Sequence, residues 1–68
     1  MIAVIGAGAF GTALAVALAR NGQAVTLWAR DEEQVAAMAK TRRNPARLPG
    51  VDLPENVTVT PQMADLSG

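Results

Sequence analysis

The 68-residue sequence predicts an α/β fold class, a partial, doubly wound parallel sheet with helices packed on it. Three observations lead there. Short β-branched runs alternate with helical stretches, a glycine cluster lies directly between the first run and the first helix, and half of all residues are apolar. A complete sheet of this kind needs about six strands, and the chain is about half the usual domain length, so it reads as the front part of a larger domain. With no cysteine to staple so small a unit, marginal stability in isolation is expected.

Ile2-Ala3-Val4-Ile5 is a continuous β-branched run closed by glycine, the pattern of a parallel strand buried on both faces. From Gly11 or Thr12 to Arg20 the residues are mostly Ala, Leu and Val with no breaker, and Gly22 suits the left-handed position that ends a helix. The small side chains of this first helix allow close approach to a sheet and predict a covered helix. Ala24 to Ala29, holding Val25, Thr26, Leu27 and Trp28, reads as the second strand. Asp31 follows as an N-cap, Glu32 and Glu33 lie where the helix dipole favours acid, and Gln34 completes a capping box.

The second helix runs to about Thr41 and is expected to bury Val35, Met38 and Ala39. Asn44-Pro45, Leu48-Pro49-Gly50 and Leu53-Pro54 punctuate a long loop, and long loops often carry function. Val57-Thr58-Val59-Thr60 is the third strand. Thr60-Pro61 then reads as N-cap and first residue of a third helix, about two turns of which precede Gly68. Two complete helices and the start of a third are thus expected, and right-handed crossovers order the strands 3-2-1. Strand one is left at an open edge, an aggregation hazard.

Six basic and six acidic side chains cancel without a block of either sign, which argues against nucleic acid or an anionic membrane surface as partner. Met1 to Ala19 carry no charge, yet no Lys or Arg precedes the apolar run as a signal peptide requires, and the run is rich in Ala and Gly where a membrane span would be rich in Leu. A strand followed by a buried helix explains it better, and a cytoplasmic location is expected.

Gly6-Ala7-Gly8-Ala9-Phe10-Gly11 matches G-x-G-x-x-G and lies where the mechanism requires, after a strand and opening a helix. Gly6 permits the tight turn, Gly8 lets a pyrophosphate approach the backbone, and Gly11 lets helix and strand pack, which makes the chain part of a Rossmann dinucleotide-binding unit. The helix N-terminus binds phosphate without a basic side chain, so neutrality is no objection. Phe10 is either a core residue or an aromatic wall beside the cofactor.

A carboxylate at the end of strand two would hold the ribose of NAD, and a cation there would accept the extra phosphate of NADP. Arg30 lies nineteen residues past Gly11, close to that position, and Asp31 beside it is read as the helix cap. NADP is therefore favoured, with NAD left open. His and Cys are absent, no set of acids has metal-ligand spacing, and the single lysine, Lys40, reads as a solvated helix-end cation. No catalytic and no metal-binding residue is assigned.

The residues then resemble one family, the bacterial-type NAD(P)-dependent glycerol-3-phosphate dehydrogenases. Ile2 to Ala15 resembles its opening fingerprint, with an aromatic before the last glycine, and Val25 to Arg30 resembles its second strand. Asn44-Pro45 through Leu48-Pro49-Gly50, then Leu53-Pro54-Glu55-Asn56-Val57, resembles its loop and third strand; Arg47 stands where the family usually has an aromatic. The resemblance implies hydride transfer between dihydroxyacetone phosphate and sn-glycerol 3-phosphate for phospholipid synthesis in the cytoplasm, with a homodimer open for the full-length form. It also implies cofactor contacts from Ala9, Phe10 and Arg30, and a catalytic lysine and a helical substrate domain beyond this stretch. Two other readings stay open: a ketopantoate-reductase-like or 6-phosphogluconate-dehydrogenase-like oxidoreductase, and a stand-alone dinucleotide-binding module without catalysis.

Overall fold

Three parallel strands order the molecule. The computed structural model describes residues 2–44 and 48–66; Met1, Pro45, Ala46, Arg47, Ser67 and Gly68 lie outside the described residues. In chain order the elements are β1 (Ile2–Ile5), α1 (Ala9–Arg20), β2 (Val25–Trp28), α2 (Glu32–Thr41), β3 (Arg43–Asn44), β4 (Leu48–Asp52), β5 (Val57–Thr60) and a 3-10 turn (Met63–Leu66). β2 lies between β1 and β5, parallel to both, so the three parallel strands take the expected 3-2-1 order.

The register sorts the sheet into two unlike faces. Ile2, Val25 and Val57 lie side by side, as do Val4, Leu27 and Val59, and these six apolar residues form the face that belongs to the core. Ala15, Val16 and Ala19 of α1 and Val35 and Met38 of α2 complete that core. The other face carries Ala3, Thr26 and Thr58, then Ile5, Trp28 and Thr60. Around the 3-10 turn it is sheltered: Trp28 Nε1 donates to Pro61 O at 3.0 Å, and Thr60 Oγ1 to Asp65 Oδ2 at 2.6 Å. At β1 it is bare, with Ile5 64% exposed.

β1 is therefore buried on one face only, contrary to the two-faced burial read from its apolar run. The cause is that no helix among the described residues lies over Ala3 and Ile5. α1 departs from expectation in the same way: Thr12, Ala15, Val16 and Ala19 are buried, while Phe10, Ala13, Leu14 and Ala17 are exposed. In α2, Val35 and Met38 are buried as expected, whereas Ala39 turns outward.

The helix ends follow local chemistry. α1 starts at Ala9, two to three residues before the expected point, because Gly8 O already accepts the N–H of Thr12 at 2.9 Å. It closes in a paired turn: Gly22, at φ +89°, donates to Ala19 O and Gln23 donates to Leu18 O, which satisfies two end carbonyls. Asp31 caps α2 as expected, accepting from the N–H of Glu33 at 2.9 Å and of Gln34 at 3.3 Å. The capping box fails. Gln34 reaches away from Asp31 and donates instead to Ala7 O and Asn44 Oδ1, on two buried residues whose acceptors need a donor.

Two further expectations are corrected. The stretch from Asn44 to Pro54 is no plain loop: β3 and β4 pair antiparallel, with the Arg43–Asp52 ion pair at 2.5 Å across the pair. Arg42, at φ +56°, ends α2 and donates to Pro54 O at 2.7 Å and Val57 O at 2.8 Å, which ties this hairpin to β5. The third helix is a 3-10 turn beginning at Met63, so Pro61 is not its first residue. Thr60 does accept the N–H of Gln62 at 3.0 Å, but it remains in β5.

Candidate dinucleotide site

The site is built where β1 leaves the sheet. Gly6 N–H donates to Trp28 O at 2.8 Å, which holds the end of β1 against β2 until the chain turns. Gly6 then adopts φ +104°, a conformation that a side chain would strain, and the turn delivers Gly8 as N-cap of α1. Gly11, one turn along the helix, packs on the turn itself. A Cβ built on Gly11 would lie 2.1 Å from Gly6 O, so only glycine allows this approach.

Gly8 is glycine for a different reason. Its φ of −73° and ψ of −176° are open to any residue, and a Cβ added there would meet nothing within 4 Å. The space above it is open and its backbone is exposed. The N–H groups of Ala9, Phe10 and Gly11 precede the first helical hydrogen bond, and they gather the positive end of the helix dipole at the same place. An anion is the ligand such a place accepts best.

Ala9 and Phe10 are exposed in the first turn, Phe10 at 81%. A cleft of about 560 Å3 runs from Phe10 and the glycine turn along β1 to Leu14 and Leu18. Its glycine end is backbone and its far end is apolar. Arg30 follows β2, exposed, two residues beyond the Trp28 carbonyl that holds Gly6; both leave the sheet at its C-terminal edge. Lys40 is exposed at the end of α2.

Behind the turn lies a polar cluster that the motif gives no hint of. Asn44, 1% exposed, donates from Nδ2 to Ala7 O at 2.9 Å and to Thr12 Oγ1 at 2.8 Å. Gln34 Nε2 donates to the same Ala7 carbonyl at 3.2 Å. Ala7 is buried, and its carbonyl spends both lone pairs on these two amides. Among the described residues no buried side-chain N or O lacks a partner. In the sequence Asn44 is only the first residue of an Asn-Pro pair, and its partners stand 37 and 32 residues away.

Comparison with known proteins agrees with this architecture. Residues 1–67 match the family described as NAD-dependent glycerol-3-phosphate dehydrogenase N-terminus. The chain is 55% identical to a glycerol-3-phosphate dehydrogenase [NAD(P)+] of Roseobacter denitrificans, covering 98% of this chain and 21% of that protein. It is 57% identical to the protein of that name from Bradyrhizobium diazoefficiens, over 93% of this chain and 19% of the other. The crystal structure of glycerol-3-phosphate dehydrogenase from Coxiella burnetii superimposes with a TM-score of 0.92 at 38% identity, over 96% of this chain and 20% of that one. A parallel sheet with a glycine turn opening its first helix defines the class, a Rossmann dinucleotide-binding unit. Within it, the chain belongs to the NAD-dependent glycerol-3-phosphate dehydrogenase family, matching its N-terminal part. It spans about a fifth of the length of the curated relatives it matches.

Proposed function

We propose that this chain supplies the pyrophosphate-binding half-site of a cytoplasmic NAD(P)-dependent sn-glycerol-3-phosphate dehydrogenase, the enzyme that reduces dihydroxyacetone phosphate for phospholipid synthesis. Residues 1–68 are then the first part of a dinucleotide-binding domain, with the later strands and a helical substrate domain contributed by further sequence. The nicotinamide would supply the hydride chemistry. This chain would hold the cofactor and contribute no catalytic residue.

The observation that carries the reading is Gly8. Neither its backbone angles nor its surroundings require glycine, so the missing side chain is explained by a ligand that must touch the backbone. The phosphates would lie over Gly6 and Gly8 against the N–H groups of Ala9, Phe10 and Gly11. Phe10 would flank the cofactor, and Arg30 would meet the ribose end. Arg30 favours NADP, since a guanidinium pairs with a 2′-phosphate in bidentate fashion.

The test uses a chimera in which residues 1–67 replace the matched segment of the Roseobacter denitrificans relative. Reduction of dihydroxyacetone phosphate with NADPH or NADH is the expected activity, and a folded chimera that binds neither dinucleotide would refute the reading. In the same chimera, Arg30→Ala is expected to raise the KM for NADPH about tenfold, one lost charged pairing, and that for NADH much less. Equal losses would remove the 2′-phosphate role.

A further inference from the structure

We propose that Asn44, assisted by Gln34, is a positioning residue for dinucleotide binding: it pins the Ala7–Gly8 peptide so that the Gly8 N–H faces the phosphate. The inference rests on the reading of the glycine turn as a pyrophosphate site. In a planar trans peptide the C=O and the N–H point in opposite directions. Asn44 and Gln34 hold Ala7 O from the side of β3 and α2, so the Gly8 N–H is turned away from them.

The turn needs this restraint because of Gly8 itself. A residue without Cβ admits the ligand, but it also admits the flipped peptide, which would aim a carbonyl at the phosphate. No side chain on the turn can forbid that flip, and two amides from distant elements do so instead. The chemistry fixes their orientation: Ala7 O can only accept, so each amide must present its nitrogen to it. Thr12, fully buried in α1, receives the second N–H of Asn44 and keeps that side chain in place. The lock thus joins the turn, α1, α2 and β3.

The experiment uses the chimera described above, with Asn44→Ala and Gln34→Ala as variants. Gln34 is only half-buried, so its variant folds even where loss of the buried Asn44 side chain does not. Asn44→Ala is expected to weaken NADH and ADP-ribose about tenfold each, and Gln34→Ala several-fold, because both ligands carry the pyrophosphate. Adenosine, which lacks it, is expected to displace bound NADH from the variants as it does from the parent. The KM for dihydroxyacetone phosphate is expected to stay within twofold. Unchanged ADP-ribose affinity in both variants, or equal weakening of adenosine and ADP-ribose, overturns the positioning role. Failure of the parent chimera to bind ADP-ribose instead overturns the functional reading on which it rests.

Discussion

Gly8 and Gly11 stand three residues apart in one motif and answer to opposite constraints. The fold requires Gly11, whose added Cβ would run into Gly6 O at 2.1 Å, and it leaves Gly8 free. Gly11→Ala is therefore expected to destabilise the chimera by about 3 kcal/mol, the upper range for overpacking against backbone. Gly8→Ala is expected to leave stability the same or slightly higher, by about 0.5 kcal/mol, since it restricts the unfolded chain. The order reverses for binding, where Gly8→Ala loses most of the ADP-ribose affinity. Thermal unfolding without ligand and titration with ADP-ribose separate the two, and a stability loss at Gly8 as large as at Gly11 would contradict the assignment. Glycines of this kind are legible in a sequence because spacing and neighbours fix their roles. Asn44 and Gln34 are not, since their meaning lies in a carbonyl 37 and 27 residues away.

Elements were legible in proportion to how local their causes are. Asp31 beside two glutamates identifies the start of α2 from short-range chemistry alone, and the cap forms as read. Gln34 at the next turn does not close the capping box, because two tertiary acceptors, Ala7 O and Asn44 Oδ1, draw its side chain away from the N-cap. β3 and β4 were hidden for a similar reason: prolines and glycine mask a hairpin whose partners are Arg42, Arg43 and Asp52. The cap can be tested apart from any ligand role. Asp31→Ala is expected to cost about 1 kcal/mol of stability, whereas Asp31→Asn, which caps equally well, costs a few tenths at most. If Asp31 served only as a cap, both variants would bind NADH as the parent does. A selective loss of NADH affinity in Asp31→Asn would instead show a ribose contact.

At the scale of the molecule, the sheet has one finished face and one unfinished edge. Ile2 and Gly6 donate from β1 to Ala24 and Trp28, so the two-residue repeat of a strand sends the N–H groups of Ala3 and Ile5 outward. Beside that edge lie Phe10 and Leu14, exposed on α1, with the partly buried Leu18 a turn further on, and no charged residue occurs before Arg20. The sequence already showed this edge through the strand order, but not the bare face, because burial of a strand depends on what packs over it. An uncharged edge with apolar flanks pairs with its own kind. The 68-residue chain by itself is therefore expected to self-associate with rising concentration, and sedimentation velocity measures it directly. Ile5→Lys places a charge on that edge at a position already 64% exposed, so it is expected to restore the monomer while changing stability by no more than about 0.5 kcal/mol. Association that persists unchanged in the Lys variant would locate the contact elsewhere, on α1, where Leu14→Lys is the corresponding test.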